Sequence, residues 1–273
     1  MLNKQHAWVL GRSLDGSLNS QREWLEKHFY DVPRIISNKF REINIDLNDK
    51  VVLDFGCGDS IIDLGLIEIA NLNKLIATDI NTDSESISKK RIKHFLGELL
   101  DSSEKLVRIQ NTETLIPLDS DSIDVAFSWS TFEHVSRPLE SLQELKRVIK
   151  PNGYLFIQIY PMYYSAHGHH LWWDSNFPPF IHLSNIELFE SRLKDFSDSN
   201  EYGELFKKII EEEVDSLNRM KFEEIKDLLL NLNFKILKED LSCEPFEPID
   251  NLSGYSKAEL EIGEIFIIRQ KIN

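Results

Sequence analysis

The sequence predicts an α/β protein whose core is one doubly wound, mostly parallel seven-stranded sheet, with a helical insertion after the fifth strand. Three observations carry this prediction. The stretch Val51-Val52-Leu53-Asp54-Phe55-Gly56-Cys57-Gly58-Asp59-Ser60 reads as a short buried strand entering a glycine turn, and Ile61 to Ile67 has the spacing of a helix whose N-terminus faces that turn. A second apolar run, Leu75-Ile76-Ala77-Thr78, ends on Asp79 about one strand-helix-strand unit later, where a carboxylate can accept hydrogen bonds from a ribose. Short apolar runs keep alternating with helical patterns as far as Tyr160, which implies right-handed crossovers and ligands at the C-terminal ends of the strands.

Taken in order, residues 1–45 read as an N-terminal helical segment. Its first 19 residues are polar, and Trp8 and Arg12 suggest either a loose leader or a flap over a cofactor. Ser20 can cap a helix with Trp24, Phe29 and Tyr30 on one face; Pro33 is expected to break it, with a second helix over Pro33 to Phe40. From residue 46 onward strands are expected near 51–55, 74–79, 105–110, 123–128 and 153–160, separated mostly by helices over 61–71, 84–99 and 137–149. After Tyr160 the pattern changes. Residues 161–220 are crowded with aromatics and histidines and then form helical segments near 184–195 and 201–218, the latter with Leu205, Ile209, Ile210, Val214 and Leu217 as an apolar stripe. This stretch reads as an insertion ahead of the next core helix, marked by Phe222, Ile225, Leu228 and Leu229. A sixth strand over 234–238, an acidic loop over 239–258 and a last strand over 264–269 complete the chain.

Bulk properties narrow the partners. The chain has 273 residues and a formal net charge of -15, which argues against extended contact with a phosphate backbone, because non-specific nucleic-acid affinity comes from Lys and Arg. The patch Lys89-Lys90-Arg91-Lys93 and the run Glu211-Glu212-Glu213 read as solvated helix faces. Two cysteines, Cys57 and Cys243, do not make a disulfide framework, so a reducing cytoplasm is expected. His6 to Leu10 is too short for a secretory core, and no run is long enough for a bilayer span, so no membrane association is expected.

Asp54-Phe55-Gly56-Cys57-Gly58 with Asp79 resembles the first two motifs of the class I S-adenosylmethionine (SAM)-dependent methyltransferases, whose fold is Rossmann-like. Ile116-Pro117-Leu118, Ser122 to Ser128 and Phe132-Glu133-His134-Val135 are similar to that family's fourth-strand region, and Lys146 to Tyr154 resembles the lead into its fifth strand. The motifs stand in family order over about residues 50–160. Ser60 departs from the pattern where many members carry a third glycine, and Thr112 where many carry an acid facing the adenine amino group. The resemblance implies SAM as cofactor, bound by Asp54, Gly56, Cys57, Gly58, Asp79, Ile80, Thr112, Ser128 and Trp129.

The acceptor side falls to the insertion. Tyr163, Tyr164, Trp172, Trp173 and His182 form the expected substrate-binding set, since aromatic rings can stack on a flat face and imidazoles can donate to anionic oxygens. His134, His167, His169 and His170 are the candidate catalytic bases, although the Glu133-His134 pair can equally serve the pocket's structure. A divalent metal on the insertion's histidines with Asp174 is the other chemistry such a cluster allows; the set lacks a helical His-x-x-x-His pair, and no metal is expected. The expected activity is methyl transfer to an oxygen, or in second place a nitrogen, of a small molecule such as a sugar or phosphorylated metabolite. The alternatives are a degenerate methyltransferase fold acting as a binding subunit, and a nicotinamide-dependent oxidoreductase, which Ile61 at the third-glycine position disfavours. Oligomeric state is left open.

Overall fold

The computed structural model describes residues 25–81, 104–171, 175–197, 214–246 and 252–272. The expectations placed on Trp8, Arg12, Ser20, Trp24, the 84–99 helix, Trp172, Trp173, Asp174 and most of the 201–218 helix lie outside these residues.

Seven strands form one sheet: β1 (Val51–Phe55), β2 (Lys74–Asp79), β3 (Leu106–Gln110), β4 (Ile123–Trp129), β5 (Ile149–Ile159), β6 (Phe234–Cys243) and β7 (Ile262–Lys271). Their order is β3-β2-β1-β4-β5-β7-β6, parallel throughout except that β7 runs antiparallel to both β5 and β6. The chain reverses direction across the sheet between β1 and β4, so the glycine turn after β1 and the loop after β4 open on the same crevice.

Helices cover both faces. On one, α1 (Val32–Arg41) and α2 (Ile61–Ile69) bury Val32, Ile36, Phe40 and Leu66 against Val52, Leu75, Val125, Phe127 and Phe156. On the other, α3 (Pro138–Val148) and α6 (Phe222–Asn231) bury Leu142, Leu145, Ile225 and Leu229 against Leu53, Ile76, Leu155 and Ile267. Strands clothed on both faces read as continuous apolar runs, which is why β1, β2 and β4 stand out in the sequence.

Pro33 does not break the N-terminal helix. A π-helical turn, Lys27–Asp31, leads directly into α1 with Pro33 in its first turn. A proline has no N–H to give and costs little at a helix start, and the widened turn gives its ring room. This junction rests on Gly65 of α2, where a Cβ would lie 1.9 Å from the Phe29 carbonyl oxygen. The acidic loop expected over 239–258 is also corrected. β6 extends to Cys243, and Ser256 caps a short helix α7 (Lys257–Glu261) by accepting from the Glu259 N–H. Cross-strand pairing with β7 holds those acidic residues extended.

The insertion contains α4 (Ile181–Ser184) and α5 (Ile186–Ser197). It packs on the stretch before β7: Phe180, Leu252 and Leu260 make a small core, and the Phe180 and Phe246 rings lie 4.8 Å apart. Cys57 and Cys243 are both free thiols. No helix among the described residues is long and apolar enough to cross a membrane.

Candidate functional site

The turn after β1 is shaped by positive φ angles at Gly56 (83°), Gly58 (50°) and Ser60 (62°). The two glycines are needed for different reasons. At Gly56 a Cβ would meet Thr131 Cγ2 at 2.0 Å, and the Thr131 hydroxyl donates to the Gly56 carbonyl at 3.0 Å, so this glycine lets the loop after β4 close on the turn. At Gly58 nothing lies within 4 Å of a Cβ, so its backbone faces open space. Asp79, at the end of β2, holds the same turn: Oδ2 accepts from the Gly58 N–H at 2.9 Å and Oδ1 from the Asn81 N–H at 2.8 Å.

Arg108 on β3 was not foreseen from sequence. Its Nη2 donates to the Gly58 carbonyl at 2.8 Å and its Nη1 to the Ser60 hydroxyl. It follows Leu106 and Val107 in an ordinary strand, and no motif marks it. Asp63, in the first turn of α2, escaped notice for the same reason. It is fully buried beside Asp54, and burial holds its carboxyl up at about 6. Burial first, then the Asp63 charge, holds Asp54 well above the usual carboxylate range, so one proton between the two acids is favoured at mildly acid pH. Burial also pushes the Cys57 thiol up, with Asp63 and Asp54 adding to the effect; the thiol is no nucleophile here.

In the segment expected to border an adenine, the buried polar residue is Asn111, one position before Thr112. Thr112 is exposed and its backbone bridges to Leu115, whereas Asn111 is buried, donates from Nδ2 to the Thr112 carbonyl at 2.9 Å and keeps Oδ1 without a hydrogen-bond partner. Ile80, 58% exposed, stands beside Asp79 as an apolar flank. Ser128 is buried in β4, and Trp129 points to the α1 face, packed on Phe156 and Phe266 at 6.4 and 6.1 Å. The strand's two-residue alternation turns Ser128 and Trp129 to opposite faces.

After β4 a 3₁₀ turn, Phe132–His134, carries Glu133 and His134. The end of the insertion binds this turn: Asn218 Nδ2 donates to the Phe132 and Val135 carbonyls at 2.7 and 3.0 Å, and its N–H donates to the Glu133 carbonyl. His134 Nδ1 lies 2.7 Å from the Ser216 hydroxyl. His170, buried and held at φ 61°, sets its ring edge-on to His134 at 5.1 Å.

The other histidines divide. His169, read as a catalytic candidate, is enclosed in a box of His182, Phe177 and Phe189, accepts on Nδ1 from the Leu171 N–H, and is held down at about 3 by burial. An imidazole of such low basicity is a weak proton acceptor near neutral pH, and its ring lies buried within this box. His182, read as substrate-binding, is likewise buried; its Nε2 donates to the Tyr163 carbonyl at 2.7 Å and burial holds it at about 4. His167 is half-buried, its ring 6.3 Å from His169. Tyr163 and Tyr164 meet edge-on at 5.2 Å, with Arg219 over the first ring and Lys221 over the second. Met162, Tyr164, Lys221, Phe222 and Ile262 line a cavity of about 260 Å³ beside them.

Residues 53–157 match the family model described as a methyltransferase domain. No curated protein matches the sequence. Among solved structures, a chain of the Haloferax volcanii complex of the Trm112 methyltransferase activator is 12% identical with a TM-score of 0.56, covering 100% of both chains. A SAM-dependent methyltransferase from Aquifex aeolicus is 17% identical with a TM-score of 0.50 over 90% of this chain and 92% of its own. The cyclase SpnF is 13% identical with a TM-score of 0.54 over 88% and 80%. These likenesses show a shared fold.

Proposed function

We propose that this chain, whose residues 53–157 match a methyltransferase-domain model, is a class I SAM-dependent methyltransferase that methylates an oxygen, or in second place a nitrogen, of a small molecule, with a sugar or phosphorylated metabolite as the favoured class. The observation that carries the reading is the closure of the insertion on the Glu133-His134 turn through Asn218. It brings His170, from the segment expected to bind the acceptor, against His134, from the strand end expected to border the cofactor.

The residues present fit SAM. Asp54 Oδ1 and Asn111 Oδ1 are buried acceptors without a donor among the described residues, and Gly58 presents bare main chain to open space. A ligand with an ammonium, an adenine amino group and a slim thioether-like chain supplies what these positions lack. Asp79, beside Gly58, would take the ribose hydroxyls on its remaining lone pairs. When bound, SAM supplies a methyl group made electrophilic by the sulfonium. The chain's own task is to hold the nucleophile in line and keep water out. For a hydroxyl acceptor, His134 would receive the proton as the carbon–oxygen bond forms, its ring fixed by Ser216; a phosphate or carboxylate oxygen needs no base.

Titration calorimetry with SAM and its demethylated product, followed by mass spectrometry over a panel of hydroxylated and phosphorylated acceptors, tests this. Binding of both ligands and methylation of a hydroxylated acceptor are expected; absence of SAM binding overturns the reading. A second reading, a binding subunit without turnover, has one observation in its favour. Arg108 donates to the Gly58 carbonyl and to the Ser60 hydroxyl, so this turn departs from the glycine pattern that the family resemblance implies. Tight SAM binding with no turnover over the panel would select it.

A further inference from the structure

We propose that Glu133, His134 and His170 form a binding site for one first-row divalent transition ion, such as Zn²⁺ or Co²⁺, at the junction between the β4 turn and the insertion. Each of the three offers a ligand atom within 4.8 Å of the other two. A point equidistant from three atoms at that separation lies about 2.8 Å from each, so inward movements of about 0.6–0.8 Å per side chain reach the 2.0–2.2 Å of Zn–N and Zn–O bonds. That is within the range of small χ adjustments.

The donor set fixes the class of ion. Two imidazoles and one carboxylate suit Zn²⁺, Co²⁺ or Mn²⁺, whereas Mg²⁺ and Ca²⁺ prefer all-oxygen sets. Glu133 is 6% exposed and His170 4%, so the surrounding protein holds both ligand side chains in place. The neighbouring contacts resemble an outer shell. Ser216 orients the His134 ring, and Asn218 fixes the backbone on both sides of Glu133. His170 presents its ring from a left-handed backbone position, φ 61°, which non-glycine residues seldom adopt. Gly168, two residues earlier, is needed for the same tight loop, because a Cβ there would lie 1.9 Å from the Tyr163 carbonyl oxygen.

Three protein ligands leave coordination positions open. Resting on the methyl-transfer reading, those positions would take an acceptor hydroxyl or carboxylate oxygen; in the metal-loaded chain His134 is a ligand and not the base, and coordination would instead lower the hydroxyl's pKa, so that its proton leaves to solvent and its lone pair faces the methyl group. The acceptor would then be an oxygen nucleophile with a second oxygen able to chelate.

The test uses the untagged full chain, stripped with a chelator and titrated with Co²⁺ by visible absorption and with Zn²⁺ and Mg²⁺ by calorimetry, each with and without SAM. One Zn²⁺ or Co²⁺ per chain is expected, with Mg²⁺ bound at least tenfold more weakly. Glu133→Gln and His170→Ala should each weaken Co²⁺ binding at least tenfold and alter the d–d spectrum, whereas Cys243→Ser, at an exposed thiol outside the three ligands, should change neither. Folding of each variant is checked by circular dichroism, and two variants guard against the loss of either. No stoichiometric Co²⁺ or Zn²⁺ binding, or binding unchanged in both folded variants, overturns the site. SAM binding measured in the same samples keeps that failure distinct from a failure of the methyltransferase reading.

Discussion

Asp79 holds the Gly58 N–H through its carboxylate, and in the proposed reading its remaining lone pairs would take the ribose hydroxyls. Asp79→Ala is expected to weaken SAM binding by about 1–3 kcal/mol, the scale of hydrogen bonds to a charged group, and calorimetry giving an unchanged affinity in the folded variant would sink the assignment. Asn111→Ala should cost about 1 kcal/mol of SAM affinity, because its buried Oδ1 is the acceptor that an adenine amino group would use, while Thr112→Ala should leave affinity within error because that side chain is exposed. The Asp54–Asp63 pair gives a pH signature. The folded-state value of Asp63, about 6, lies above its ordinary 3.8, so the folded chain binds more protons than the unfolded one between those values. Stability from this group is therefore present below about pH 4 and is lost as pH rises through about 6. Thermal melts of Asp63→Asn should exceed wild type near pH 7 by more than near pH 4, with roughly 2–4 °C for each kcal/mol removed. A difference independent of pH would mean that Asp63 is already ionised at low pH in the fold.

At the scale of elements, the β4 turn and the end of the insertion form one unit. Asn218 supplies three hydrogen bonds to Phe132, Glu133 and Val135, so Asn218→Ala leaves two carbonyls short of a partner and frees the turn that carries His134. A loss of about 1–3 kcal/mol in chemical denaturation is expected, with turnover reduced and SAM affinity nearly kept. Loss of SAM binding with stability unchanged would show that the turn belongs to the cofactor side alone. How far such a unit is legible from sequence depends on the range of its contacts. The strands and helices of the core show in local periodicity, and β1 and β2 were placed to the residue. Asn218 and Ser216 meet their partners across more than 80 residues of chain, and no periodicity encodes that meeting. The same holds for the continuous run of helix through Pro33, which depends on Gly65 in α2 receiving the Phe29 carbonyl.

For the whole molecule, cofactor binding at the central crevice should stabilise the entire two-sided core, since a ligand that binds only the folded state adds its binding free energy. At 100 times its dissociation constant SAM should add about 2.7 kcal/mol, or roughly 5–10 °C in melting temperature for a chain of this size, read by differential scanning fluorimetry. No shift at saturating SAM would contradict a site formed by the fold itself. The sequence by itself determined the doubly wound sheet, the glycine turn, Asp79 and the Glu133-His134 position. Strands buried on both faces and a turn that demands positive φ leave marks in residues close together in the chain. Tertiary structure alone decided which histidines are packed and which converge, that Arg108 and Asp63 join the glycine turn, and that Asn111 rather than Thr112 is the buried acceptor. Those outcomes depend on burial and on which strand ends meet at the crevice, properties of a side chain's surroundings that its identity and spacing do not carry.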